Sequence, residues 1–272
     1  MAPFDGDKVF GGSIPELYET HLVPLIFAPY AVDLAARLRS RTVSRVLEIA
    51  AGTGVVTRAL ASSLPDHVSI IATDLNQAML DRARTVGTTR PVEWRQADAS
   101  QLPFPDGAFD AVVCQFGVMF FSDKVQAFAE ARRVLAPGGV FIFDVWDRLP
   151  DNEFADTVTA ALAAMFPADP PRFMARTPHG YHDEQTIRLD LVNAGFGTAP
   201  RITTIAARSR AASARAVAVA YCQGTPLRNE IESRAATRLG AATDAAETAL
   251  IQRFGDGAVD GKIQALVIEV ER

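Results

Sequence analysis

The chain has 272 residues, of which 49% are hydrophobic and 22% charged, so it can bury a substantial core and falls in the range of one large domain or two small ones. A formal charge of −5, with arginines scattered and not massed in one run, offers no electrostatic footprint for a phosphate backbone and argues against a nucleic-acid partner. Two cysteines, Cys114 and Cys222, are too few and too far apart for a disulfide framework or a four-ligand metal site, and the N-terminus MAPFDGDKVF lacks a basic segment followed by an apolar run. No segment reads as a bilayer span, so the expectation is a cytoplasmic protein with no membrane partner.

In chain order, the N-terminal region, punctuated by Pro15, Pro24 and Pro29, predicts one or more helices ahead of the first strand. Short apolar runs rich in β-branched or aromatic residues then predict strands at 45–50, 68–74, 92–98, 111–116 and 140–146. Helical patterns separate them; Ser122 is placed to cap one whose apolar positions are Val125, Phe128, Ala129 and Leu135, and Pro137–Gly139 is placed to stop it. Strand and helix in alternation imply a parallel sheet covered on both faces. After Arg148 the rhythm changes: a helical segment and a Pro-rich stretch run to His182, and 209–260 is Ala-rich and helical. RITTIAA and KIQALVIEV, flanking this second insert, read as two further strands. The expected fold is α/β, a doubly wound, mostly parallel seven-stranded sheet, with N-terminal helices and helical inserts capping the site. The expected organisation is one domain over 1–272, with a cofactor-binding core at about 40–147 and cap elements at about 1–36, 148–182 and 209–260.

The stretch VLEIAAGTGVVTRAL puts a carboxylate and a Gly-containing loop between a strand and a helix. Gly52 and Gly54 allow a tight turn and close approach of a ligand, and the helix beginning near Val55 aims free N–H groups at an anionic group. Glu48, Asp74, Asp98 and Gln115 all fall at or just past strand ends, where ligands bind in open α/β sheets. Asp74 suits a carboxylate that accepts hydrogen bonds from both ribose hydroxyls. A nicotinamide dinucleotide fits less well, because Thr57 stands where a third glycine would sit and Glu48 would repel a pyrophosphate. S-adenosylmethionine, with its sulfonium and ammonium, tolerates acidic and aromatic surroundings.

Four segments, VLEIAAGTG, ATDLNQAML, WRQADASQLPFPDGAFDAVVCQFGVMFF and RVLAPGGVFIFDVW, resemble the successive motifs of class I S-adenosylmethionine-dependent methyltransferases of the ubiquinone/menaquinone-biosynthesis-like small-molecule group. The resemblance covers roughly residues 40 to 150. It implies that Glu48 and the backbone of Ala50, Gly52, Thr53 and Gly54 hold the methionine end of the cofactor and that Asp74 holds the ribose, with Leu75 beside the adenine. It further implies Asp98 at the adenine amino group, Ala99 offering its backbone N–H, and Gln115 with Phe116 as the wall next to the methionyl group. Such families usually carry Gly where Ala50 stands, so a methyl group narrows this loop. Tyr18 lies where related enzymes often place an aromatic lid over the cofactor. The product would be S-adenosylhomocysteine and the acceptor a small molecule.

Each assignment has a structural rival. Asp74 or Asp98 can cap the segment that follows, Gln115 can satisfy backbone groups at a strand end, and Tyr18 can be helix packing. HGYHD, His179 to Asp183, superficially offers metal ligands, but it also fits a loop ending in an Asp N-cap, and no further ligand cluster accompanies it. The expectation is no metal, with His179 or His182 as the general base if the acceptor needs one. YCQGTPLR, Tyr221 to Arg228, fits either a substrate-facing turn or a plain helix break. The alternatives to a methyltransferase are a non-catalytic S-adenosylmethionine-binding module and, third, a nicotinamide-dependent oxidoreductase; the sequence leaves open whether the chain forms a homo-oligomer.

Overall fold

The computed structural model describes residues 5–272. Its seven strands are β1 (Arg45–Glu48), β2 (Ser69–Asp74), β3 (Glu93–Gln96), β4 (Phe109–Gln115), β5 (Leu135–Trp146), β6 (Arg201–Ala211) and β7 (Val259–Glu271), in the sheet order β3-β2-β1-β4-β5-β7-β6. Every pair from β3 through β5 is parallel. Strand order reverses between β1 and β4, which is where an open α/β sheet leaves a crevice at its carboxyl edge. The helices are α1 (Ile14–Leu17), α2 (Ala28–Arg39), α3 (Val55–Ser63), α4 (Gln77–Val86), α5 (Lys124–Val134), α6 (Glu153–Met165), α7 (Phe173–Arg176), α8 (Glu184–Asn193), α9 (Ala214–Gln223), α10 (Leu227–Arg234) and α11 (Leu239–Phe254).

The chain divides into two compact units. One comprises 28–145, 181–205 and 266–272 and carries the motifs. On one face of its sheet, Leu34 and Leu38 of α2 and Val56 and Leu60 of α3 pack with Val46, Ile70, Val113 and Ile142 of the strands. On the other, Phe128, Phe141, Phe143 and Phe196 form an aromatic layer with ring centroids 4.8 to 6.3 Å apart. Burial on both faces is the reason these strands read as continuous apolar runs. The second unit comprises 1–27, 146–180 and 206–265. Its described part is mostly helical, with α9 and α6 packed on α11 and Phe154 edge-on to Phe254 at 4.9 Å.

Several boundaries differ from the sequence reading. Asp123, not Ser122, caps α5, its Oδ1 accepting from the Gln126 amide at 2.9 Å. Pro137–Gly139 lies inside β5, where Gly138 takes a φ of 77° and the register with β4 shifts between Phe109 and Ala111. The N-terminal region is α1, a π-helical stretch Tyr18–Phe27 that contains Pro24, and α2, so the proline shifts the hydrogen-bond pattern without ending the helix. The run Ile14–Arg39 is, by length and composition, apolar enough to cross a membrane, contrary to the sequence expectation; 56% of its most apolar stretch is buried within the protein, as in core helices.

Candidate functional site

The site is built at the carboxyl ends of β1, β2, β3 and β4. The β1–α3 loop is tied to β2 by the Ala51 amide donating to Thr73 O at 2.8 Å, and by the Gly52 amide donating to Asp74 Oδ2 at 2.8 Å. Asp74 Oδ1 accepts from the Asn76 amide at 2.8 Å. The β3 end joins the same crevice, since the Ala97 amide donates to Asp74 O and Gln96 Nε2 donates to Leu75 O. Leu75 is 48% exposed beside the buried Asp74, an apolar surface next to an acceptor. Asp98 lies at the surface and its Oδ1 accepts from the Ser100 amide and hydroxyl, so its turn is closed by a residue just after it.

Glu48 is 1% exposed. Its Oε2 accepts from Thr57 Oγ1 at 2.5 Å, and it has no ion pair among the described residues. Burial pushes its pKa up to about 8, against the opposing pull of the Thr57 hydrogen bond and the Arg58 charge. Asp74 is also raised by burial, with the Asn76 and Gly52 amides acting in the opposite sense. Thr57, which breaks the dinucleotide glycine pattern, therefore serves as the donor that holds Glu48.

The loop itself is under backbone strain. Ala50 has φ 54°, the left-handed region, which accounts for the glycine usual at this position. Gly54, at φ 85°, is fixed by packing as much as by any ligand, because a Cβ there would come 2.8 Å from the Trp94 ring. The Gln115–Gly117 turn at the end of β4 sits directly against it: a Cβ on Gly117 would lie 2.5 Å from the Ala50 methyl carbon. Phe116 is the other non-glycine residue with a positive φ among the described residues, at 48°, and its ring meets Tyr30 edge-on at 5.2 Å. The sequence reading missed two residues here: Trp94, which wedges against Gly54, and Asp144, whose Oδ1 accepts from the Phe116 amide at 2.7 Å. A lone acid inside the apolar run VFIFDVW was the available signal for Asp144.

Glu48, Ala50, Gly52, Thr53, Gly54, Asp74, Leu75, Asp98, Ala99, Gln115, Phe116 and His182 belong to the motif-bearing unit, whereas Tyr18 and His179 belong to the other. Within that second unit Tyr18 and His179 are members of one aromatic series. Tyr18 stacks on Phe27 at 4.9 Å, Phe27 lies 6.1 Å from Trp146, and Trp146 lies 6.1 Å from the His179 ring. His179 is buried and its Nδ1 is 2.8 Å from the Asp147 carbonyl oxygen, which puts Nδ1 in the donor role and, in the neutral ring, the lone pair on Nε2. Asp183 caps α8 through the Thr186 amide at 2.7 Å. In YCQGTPLR, Gln223 donates to Thr243, Thr225 to Tyr221 O, and Arg228 to Ser13 and Glu232, the contacts of a packed turn. Among the described residues no group of three or more His, Cys, Asp or Glu side chains is placed to share a metal ion.

Comparison with known proteins accords with this geometry. Residues 47–143 match the model of a methyltransferase domain family. The chain is 34% identical over 167 residues to a ubiquinone/menaquinone biosynthesis C-methyltransferase of Ectopseudomonas mendocina, a match that takes in 56% of this chain and 65% of the relative. It is 31% identical over 180 residues to the enzyme of the same name from Pseudomonas syringae pv. tomato, over 61% of this chain and 69% of the relative. The chain thus spans about two thirds of the length of these curated relatives. The fold is shared with a Haemonchus contortus phosphoethanolamine N-methyltransferase solved with S-adenosylhomocysteine, at a TM-score of 0.60 and 17% identity, over 98% of this chain and 59% of that one. The chain belongs to the class I S-adenosylmethionine-dependent methyltransferase family, in the group similar to the ubiquinone/menaquinone biosynthesis C-methyltransferases.

Proposed function

We propose that the chain transfers a methyl group from S-adenosylmethionine to a small-molecule acceptor, and that the cofactor lies along the carboxyl ends of β1 to β4. The observation that carries this reading is the pair of buried acids, Glu48 and Asp74, flanking a loop whose Thr53 Oγ1 is buried with no hydrogen-bond partner. These groups suit a ligand that brings positive charge and hydroxyl donors. Asp74 would accept from the ribose hydroxyls through lone pairs left over by the Gly52 and Asn76 amides, while Glu48 and the Ala50–Gly54 backbone would hold the methionine end. Leu75, with Asp98 and Ala99, would receive the adenine, and Gln115 with Phe116 the methionyl side.

The bound cofactor supplies an already activated methyl group on its sulfonium. What remains for the chain is to exclude water and to align an acceptor atom in line with the methyl–sulfur bond, a contribution of roughly 7 to 11 kcal/mol where geometry is favourable. The chain would work as one methyltransferase domain, with 1–36, 148–182 and 209–260 selecting the acceptor and Tyr18 shielding the cofactor. His179 is the better of the two candidate bases, because the Asp147 carbonyl orients its ring and selects its tautomer. His182 is the alternative. No metal is assigned a role. The net charge of −5 and two buried free cysteines support a cytoplasmic enzyme acting on neither nucleic acid nor membrane.

The test is a thermal-shift and calorimetric comparison of S-adenosylmethionine and S-adenosylhomocysteine with nicotinamide dinucleotides, followed by mass-spectrometric screening of small molecules for a mass gain of one methylene. Binding of the adenosyl compounds alone, with a methylated product and S-adenosylhomocysteine released, is expected. Binding without turnover for any acceptor would favour a non-catalytic module, and preference for a dinucleotide would overturn the reading.

A further inference from the structure

Asp144 stands in an otherwise apolar stretch of β5, paired in register with Gln115 of β4. It is completely buried, two positions from Ile142 on the same strand, and the charges of Asp33 and Arg37 act on it in opposite senses. Its Oδ1 accepts from the Phe116 amide, and its Oδ2 is buried with no hydrogen-bond partner. A carboxyl group in such a place is costly, and an apolar side chain would pack there without the penalty. Burial holds its pKa well above the usual carboxylate range, against the pull of the Phe116 amide.

The return for that cost is visible at Phe116. This residue holds a left-handed backbone, φ 48°, that a bulky side chain adopts only when its surroundings impose it. The Asp144 bond fixes the amide of that strained residue. The turn it fixes is seated without slack: a Cβ on Gly117 would meet Ala50 at 2.5 Å and Cys114 Sγ at 2.7 Å, and Ala50 is itself left-handed in the β1–α3 loop. The strained Phe116 and the strained Ala50 are thus linked through one close contact, that of Gly117 with Ala50.

We propose that Asp144 is a positioning residue for the cofactor: by accepting from the Phe116 amide it locks the Gln115–Gly117 turn against the Ala50 loop and so presets the groove for the methionyl part of S-adenosylmethionine. This rests on the placement of the cofactor proposed above. A neutral acceptor at this position is sufficient, and a charge is not required.

The experiment is calorimetric titration of S-adenosylhomocysteine into the wild type, Asp144→Asn and Asp144→Leu, with Asp74→Ala as reference and circular dichroism to verify folding. Asparagine keeps an acceptor of the same reach and is expected to bind within about twofold of the wild type; leucine is expected to bind at least about tenfold more weakly. A folded leucine variant with wild-type affinity, or an asparagine variant as weak as leucine, would overturn the proposal. Amide hydrogen exchange on the wild type and Asp144→Asn tests it even where leucine does not fold. Residues 115–117 should gain protection on adding S-adenosylhomocysteine, and unchanged exchange there in a saturated protein would also overturn it. If Asp74→Ala binds like the wild type, the cofactor placement itself has failed, whatever Asp144 does.

Discussion

Two buried polar clusters, one in each unit, show how differently the same residue types can be used. In the helical unit Arg176 donates to both oxygens of Asp7 and to Glu230, Thr177 Oγ1 donates to Asp7, and the Arg172 and Phe173 amides donate to Glu230 Oε2. Acid and base are matched and every carboxylate oxygen is bonded. At the strand ends, by contrast, Glu48 bonds one hydroxyl, Thr53 Oγ1 and Asp144 Oδ2 have no hydrogen-bond partner, and Glu48 and Asp74 have no ion pair among the described residues. The first cluster is complete as a clamp between the 5–8 segment, α7 and α10. The second leaves buried polar atoms unmatched.

Opening the clamp is expected to have the largest effect. Arg176→Ala leaves Asp7 buried without its cation and Glu230 with only Arg234, at 3.6 Å, and should cost about 3 to 5 kcal/mol in denaturant unfolding, while the affinity of the surviving folded protein for S-adenosylhomocysteine stays unchanged. A parallel loss of affinity would show the two clusters to be one machine. The converse test uses pH. Glu48 has a folded value of about 8 against 4.5 when unfolded, so its stabilising contribution is fully present below about pH 4.5 and is lost as pH rises through 8. Each pH unit between those two values removes about 1.4 kcal/mol at most, so the free protein should lose a few kcal/mol across the window. Glu48→Gln should flatten the profile, as should saturation with S-adenosylhomocysteine if its ammonium lies near Glu48. An equally steep profile in Glu48→Gln would assign the dependence to other groups.

A third perturbation separates positioning from proton transfer. His179→Ala should lower kcat about a hundredfold for an acceptor with a high pKa, with S-adenosylhomocysteine affinity retained, and His182→Ala should have little effect. Full activity in both would leave alignment alone to carry the rate. The smallest effect is expected at Ala50. Replacing it with glycine relieves the left-handed strain and should raise stability by up to about 1 kcal/mol, as read from the melting temperature. A loss of stability would mean that the Ala50 methyl contact with Gly117 outweighs the strain.

The centre of the motif-bearing unit was legible in the sequence for a physical reason: β1, β2, β4 and β5 are largely buried and the candidate ligand groups sit at strand ends, so apolar runs and position carry both messages. The more exposed β3 and β6 were legible instead from their β-branched and aromatic residues, and the Asp183 cap from its place ahead of a helical pattern. Less legible were features that depend on contacts distant in sequence. Gly54 reads as a ligand glycine until Trp94, forty positions on, is seen against it. Asp144 reads as one acid in a strand until the Phe116 amide is found on it. The Asp7, Arg176 and Glu230 cluster joins three segments that no spacing rule connects. Pro24 and Pro137 misled for the opposite reason, since π-helical hydrogen bonding and a strand irregularity accommodate residues that local rules read as breaks.

The proposed role of Asp74, holding the ribose of S-adenosylmethionine at the end of β2, is tested by calorimetry with S-adenosylhomocysteine on Asp74→Ala. The lost charge-assisted bonds are each worth about 1.5 to 3 kcal/mol, so a variant with native circular dichroism should bind at least tenfold more weakly than the wild type. Unchanged affinity in that folded variant would remove Asp74 from the site and contradict the account.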